Sequence, residues 1–134
     1  MDFDDKASIL QEALDQTTNA VVITTPDLDF PGPQILYVNA AFTDITGYTH
    51  EEVLGLTPRI LQGPKTDRAL LDRLKLALRE GSPAQGSTWN YRKDGSAYRV
   101  EWNISPVRID GEEVDYFLWG VSWRWTTLAP AIVL

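Results

Sequence analysis

Side chains able to do covalent chemistry are scarce in this sequence. There is no cysteine, and His50 is the single histidine among 134 residues. Disulfides, thiolate metal sites, cysteine nucleophiles and multi-histidine metal clusters are therefore excluded within the chain. Carboxylates number 19, too many for any pair of them to point to acid–base catalysis. No glycine-rich phosphate loop and no nucleophile beside a base is visible, so no catalysis is expected. His50 opens a Thr-His-Glu-Glu helix start, the setting of a surface histidine. What remains is binding chemistry. Arginine can grip an anion through two parallel hydrogen bonds and lysine can act as a point charge, but on residue type alone Arg59, Arg73 and Lys75 read as solvated charges, Gln62 as a helix cap and Asn90 as a hairpin residue.

The length suits one domain, and 43% apolar with 10% aromatic residues suits a buried core. A net charge of −7 disfavours nucleic acid and anionic membranes as partners, because their phosphates would be repelled. No apolar run approaches the ~20 residues needed to span a bilayer. The acidic start MDFDDKASIL lacks the basic region of a signal peptide, so the expected compartment is the cytoplasm. Ile9, Leu10, Ala13 and Leu14 share a face of a short helix over 4–16. Strands are predicted over 19–25 and 34–38, separated by the turn-rich DLDFPGP. Asn39 caps a helix that stops at Gly47, and Thr49 with Glu52 forms a capping box for another. Leu70, Leu71, Leu74 and Leu78 mark the longest core helix, over 66–79. Three strands follow over 86–93, 96–108 and 114–125, with Lys93-Asp94-Gly95 as a hairpin turn. Consecutive hairpins make these antiparallel, and the helices must cover one sheet face, which gives an α+β domain.

Specific segments sharpen this. ILYVNAAFTDITGYTHEEVLG resembles the stretch from the second strand through the short helices of PAS domains. GLTPRILQGPKTD, with Gly55, Arg59, Leu61, Gln62, Gly63, Pro64, Thr66 and Asp67, is similar to the signature of the light-oxygen-voltage (LOV) branch. NYRKDG, Pro106-Val107 and Gly120-Val121 resemble later motifs of the same branch. The resemblance spans about residues 13–127 and implies a five-stranded antiparallel sheet with short helices and one longer helix on one face. It divides the chain into a flanking helix over 1–16, the domain over 17–127, and a tail or linker over 128–134.

LOV domains hold flavin mononucleotide (FMN) non-covalently, and blue light joins the flavin to the signature cysteine. The resemblance puts Pro58 at that cysteine, so the adduct is not expected. It assigns the phosphate to Arg59, Gln62 and Lys75, and one ring-edge contact to Asn90. The other ring-edge positions fall on Thr57, Val100 and, if the last strand carries one extra residue near Trp119, Ser122. Trp102 would face the same pocket as Val100 and fill part of it. Without a thiol, a bound flavin could still sense light by electron transfer from Trp102 or Tyr98. On the last strand Phe117, Trp119, Val121, Trp123 and Trp125 alternate with smaller or polar residues. If Gly120 and Ser122 face the pocket, that row lies outside as an interface for a second copy or a signalling partner, unless the N-terminal helix covers it. Two readings follow: a sensory, signal-transducing domain compatible with FMN, or a ligand-free module for dimerisation or docking.

Overall fold

The computed structural model describes residues 3–123. The expected tail over 128–134 and Trp125 lie outside the described residues. The chain forms α1 (Phe3–Gln16), β1 (Ala20–Thr24), β2 (Ile35–Val38), α2 (Ala40–Thr46), α3 (His50–Val53), a 3₁₀ turn (Pro58–Leu61), α4 (Arg68–Arg79), β3 (Ala84–Tyr91), β4 (Ala97–Val107) and β5 (Tyr116–Trp123). The five strands make one antiparallel sheet in the order β2-β1-β5-β4-β3. It is an α+β fold, and the first and last strands lie side by side at its centre.

Local chemistry sets the element ends. Asn39 caps α2 by accepting from Phe42 N at 3.1 Å, and Gly47 ends the helix at φ +82°, a conformation that favours glycine. The Asn39 side chain does more than cap. Its Oδ1 also accepts from Val21 N at 2.9 Å, and its Nδ2 donates to Leu14 O at 2.8 Å and Asn19 O at 3.0 Å. One buried amide thus joins the end of α1, the start of β1 and the first turn of α2. Thr49 and Glu52 complete a capping box at α3.

Helix α4 begins two residues later than its apolar spacing predicts, because Thr66 and Asp67 are used otherwise. Thr66 Oγ1 donates to Trp89 O and accepts from Gly63 N, while Asp67 N donates to Thr88 Oγ1 and its carboxylate caps Leu70 N. Strand β3 begins earlier than expected, since Ala84 and Gln85 pair with Ile104 and Asn103. Gly86 is where α4 presses closest on the sheet: a Cβ there would lie 2.5 Å from Leu70 Cδ1.

The core lies between the helices and one sheet face. Leu70, Leu74 and Leu78 of α4 are buried with Val100, Trp102 and Ile104 of β4 and Phe117 and Val121 of β5. Each large apolar side chain buried this way contributes about 1.5–3 kcal/mol before entropy is counted. Helix α1 packs against α2. Its Ile9 and Leu10 stay exposed, at 52% and 64%, so the expected cover by these residues over the last strand is absent.

Candidate functional site

A cavity of about 450 Å³ opens between α4 and the inner face of the sheet, within the roughly 300–1,000 Å³ usual for small-molecule sites. Its floor is Trp102, Ile104 and Trp119 from the sheet; Leu71, Leu74 and Leu78 line it from α4. Leu28, Gly32 and Pro33 of the β1–β2 loop and Thr57 and Pro58 at the 3₁₀ turn complete the wall. The charged lining residues are Arg59, Arg68 and Lys75 against one acid, Asp72.

The 3₁₀ turn follows from its sequence. Pro58 stands at its first position, where a missing N–H costs nothing, and holds Thr57 extended at φ −99°, ψ 158°. Thr57 Oγ1 then accepts from Arg59 N at 3.3 Å. The Arg59 guanidinium lies 5.4 Å from the ring centre of the exposed Phe30. Arg68 Nη1 donates to Gln62 Oε1 at 2.5 Å. The β1–β2 loop is tied to α4 by an ion pair between Asp29 and Arg79 at 2.8 Å, and the hydrogen bond from Arg79, then its charge, holds the Asp29 carboxyl below its ordinary value.

The polar groups on the sheet side are engaged within the protein. Trp119 Nε1 donates to Thr24 Oγ1 at 3.0 Å. Asn90, with its amide oxygen turned towards the indole, accepts from Trp102 Nε1 at 3.3 Å and donates to Trp89 O at 3.2 Å. The two indoles meet edge to face, with centroids 5.3 Å apart and planes at 84°. Beside Asn90 the Tyr98 phenol is pushed up to about 12 by burial, against the opposing pull of a hydrogen bond with Asn90 and the charge of Arg92.

Of the residues singled out from sequence, Thr57, Arg59, Gln62, Lys75, Asn90 and Trp102 all line this cavity, and Pro58 lines it with them. Val100 shares the inward face but is fully buried and outside the lining. The assignment of Ser122 required an extra residue near Trp119, and that irregularity is absent. Strands β4 and β5 pair without a shift from Val107–Tyr116 to Val100–Trp123, which sets Ser122 opposite Glu101 and Val121 opposite Trp102. Arg68 and Trp119 are lining residues that the sequence reading passed over. Arg68 has a legible signal, a cation in the turn after the Thr66-Asp67 cap, about two helical turns before Lys75 and so on the same side of α4.

The same register corrects the expected interface. Trp119 stands opposite Ile104 and Val121 opposite Trp102, and directly opposed residues share a face. The row therefore points inward: Phe117 and Val121 are buried at 1% and 5%, and Trp119 lines the cavity. A shift of one residue reverses every side chain of a strand. The outward positions are Tyr116, Leu118 and Gly120. Trp123 stands opposite Val100 in the backbone register; its side chain and that of Ser122 lie outside the described residues.

Comparison with known proteins gives concordant matches. A family model described as "PAS domain" matches residues 18–122. The "Blue-light photoreceptor" of Listeria monocytogenes is 38% identical over 111 residues, covering 82% of this chain and 42% of that protein. The "Bacterioopsin transcriptional activator" of Halobacterium salinarum is 36% identical over 108 residues, covering 81% of this chain and 16% of that protein. The chain thus spans less than half the length of either relative. Among solved structures, the LOV domain of the Erythrobacter litoralis EL346 blue-light-activated histidine kinase superposes with a TM-score of 0.72 at 29% identity, covering 80% of this chain and 96% of that one.

Proposed function

Since the chain belongs to the PAS domain family and is of its LOV type, we propose that it is a sensory domain that takes FMN into the cavity and signals without a cysteinyl adduct. One observation carries this reading: Arg59, Arg68 and Lys75 gather at an otherwise largely apolar cavity of about 450 Å³. Three cations against one acid suit a doubly charged phosphate. Arg59 is exposed and free to leave the Phe30 ring for such an anion. Gln62, already bonded to Arg68, would orient that guanidinium. The flat ring would lie over Trp102, Ile104 and Trp119, between the sheet and the leucines of α4. A bound flavin supplies a chromophore and an electron acceptor at this position. The chain supplies no thiol, and the resemblance of its signature sets Pro58 where the family carries one. What the chain does supply near the cavity is indole and phenol side chains, Trp102, Trp119 and the buried Tyr98, as electron donors.

The test is titration of the protein with FMN and with riboflavin, followed by quenching of flavin fluorescence, repeated for Arg59→Ala. The expected result is that wild type prefers FMN by about tenfold or more and that Arg59→Ala removes most of that preference. A charge-assisted hydrogen bond is worth about 1.5–3 kcal/mol, which is roughly ten- to a hundredfold. Equal affinity for both ligands in wild type would refute the anion site.

A second reading has its own observation. The Trp102–Trp119 pair occupies the sheet side of the cavity, which favours a ligand-free module for self-association or docking. Its surface would be the outer sheet face at Tyr116 and Leu118, exposed at 37% and 38% beside Ile23. Absence of flavin binding together with a concentration-dependent dimer that Leu118→Glu abolishes would select it.

A further inference from the structure

Small-molecule sites gain specificity from a few polar groups aimed into an apolar cavity. Among the described residues, the sheet contributes three polar side chains to this one: Asn90, Trp102 and Trp119. Both indole N–H groups are already spent, on Asn90 and on Thr24, and the Asn90 amide spends its oxygen on one indole and a donor on Trp89 O, with the Tyr98 phenol as a further hydrogen-bond partner. Asn90 is only 3% exposed and Thr24 is completely buried. A ligand pressed against this wall meets aromatic faces and satisfied hydrogen bonds. Any donor or acceptor on the edge of its ring is stripped of water there without replacement. The cations at the mouth remain available.

We propose that Trp102, by holding the Asn90 amide, sets how this cavity grips its ligand: FMN is held through its phosphate and its ring face, and its polar ring edge gains no hydrogen bond from the Asn90 oxygen. This deepens the reading of the cavity as a ligand site and rests on it. Trp102 acts in two ways: it presents an apolar face, and it blocks the one sheet-side amide able to read a ring edge. In a Trp102→Phe variant the phenyl ring keeps the apolar face and frees the Asn90 oxygen from its indole partner, so that it becomes available at the cavity wall. Trp119→Phe is the matched control. It also removes an indole bond, but the group it releases, Thr24, does not line the cavity.

The experiment measures the affinities of FMN and of 1-pyrenebutyrate, a flat anion without polar ring edges, for four proteins by calorimetry. These are wild type, Trp102→Phe, Trp119→Phe, and Trp102→Phe combined with Asn90→Ala, each first checked for cooperative thermal unfolding. Wild type is expected to bind FMN, and the ratio of its affinity to that of 1-pyrenebutyrate is the reference against which the variants are read. Trp102→Phe is expected to tighten FMN about tenfold while 1-pyrenebutyrate changes less than about threefold. Trp119→Phe should give no such gain, and Asn90→Ala should cancel it. If Trp102→Phe does not unfold cooperatively, Trp102→Leu releases the same amide and replaces it. FMN binding that responds equally with 1-pyrenebutyrate, or a gain that survives Asn90→Ala, overturns the role of Trp102 while leaving the flavin site intact. Binding of 1-pyrenebutyrate with no FMN binding to wild type or to Trp102→Phe overturns the flavin reading, and the selector role with it.

Discussion

Replacing Trp119 by Phe removes an indole N–H that donates to Thr24 Oγ1 at 3.0 Å. Thr24 is fully buried, and its hydroxyl keeps its own bond to Thr25 O at 2.9 Å. The variant therefore loses one neutral hydrogen bond and leaves a buried oxygen with one partner fewer, together worth about 1–2 kcal/mol. For a domain of this size that is a fall of roughly 3–10 °C in Tm. Thr24→Val should cost a similar amount alone, since it strands the indole donor. Together the two should cost about 1 kcal/mol less than their sum, because the second change removes a group the first had already left unpaired. Urea unfolding followed by far-UV circular dichroism measures all four corners of this cycle. A neutral Trp119→Phe, additive with Thr24→Val to within about 0.5 kcal/mol, would mean that the aromatic row of β5 faces away from β1 and the cavity. The register assigned to the sheet would then be wrong.

Three further outcomes are expected. Gly63→Ala should destabilise by about 1–3 kcal/mol through overpacking, because its Cβ would come within 2.4 Å of the Tyr91 ring; the loss should shrink when Tyr91→Leu is made as well, and a neutral Gly63→Ala by urea unfolding would refute that packing. The Glu52 carboxyl is held below its ordinary value of 4.5 by the hydrogen bond from Lys93 first and the Thr49 backbone second. A folded value below the unfolded one means stability that is present above pH 4.5 and lost as pH falls through the folded value, so the Tm advantage of wild type over Glu52→Gln should fade as pH is lowered below 4.5; an advantage unchanged down to pH 3 would refute it. Illumination of a flavin-loaded sample should produce no thermally reversible bleaching of the adduct kind, and observing such bleaching by absorption spectroscopy without added reductant would overturn the assignment of Pro58.

What the sequence made legible was mostly local. The Thr49–Glu52 capping box, the Asn39 cap and the leucines of α4 depend on residues a few positions apart, and each is found where its spacing predicts. The cavity lining was legible by another route, the resemblance of one short segment to the LOV signature, which picked out Thr57, Pro58, Arg59 and Gln62 together with Lys75 on the next helix. The face of β5 was not. Its alternation is unambiguous, but which half of it turns inward depends on pairing with β4, and a single assumed extra residue reversed the answer. The roles of Trp102 and Trp119 were hidden likewise, since each indole bonds to a residue on another strand, Asn90 or Thr24. The alternation of Val100, Trp102 and Ile104 could in principle have fixed the parity of their partners, had the β4–β5 hairpin been taken as regular.

Asn39 brings a mechanical consequence. Its single amide holds the C-terminal carbonyl of α1 at Leu14 and the first strand at Val21, and that strand runs beside β5, where Val22 pairs with Trp119 on the cavity floor. The helix and the floor are thus levers on a common pivot, one amide and one strand apart. Rotation of α1 must either carry the start of β1 with it or break the bonds of this buried amide.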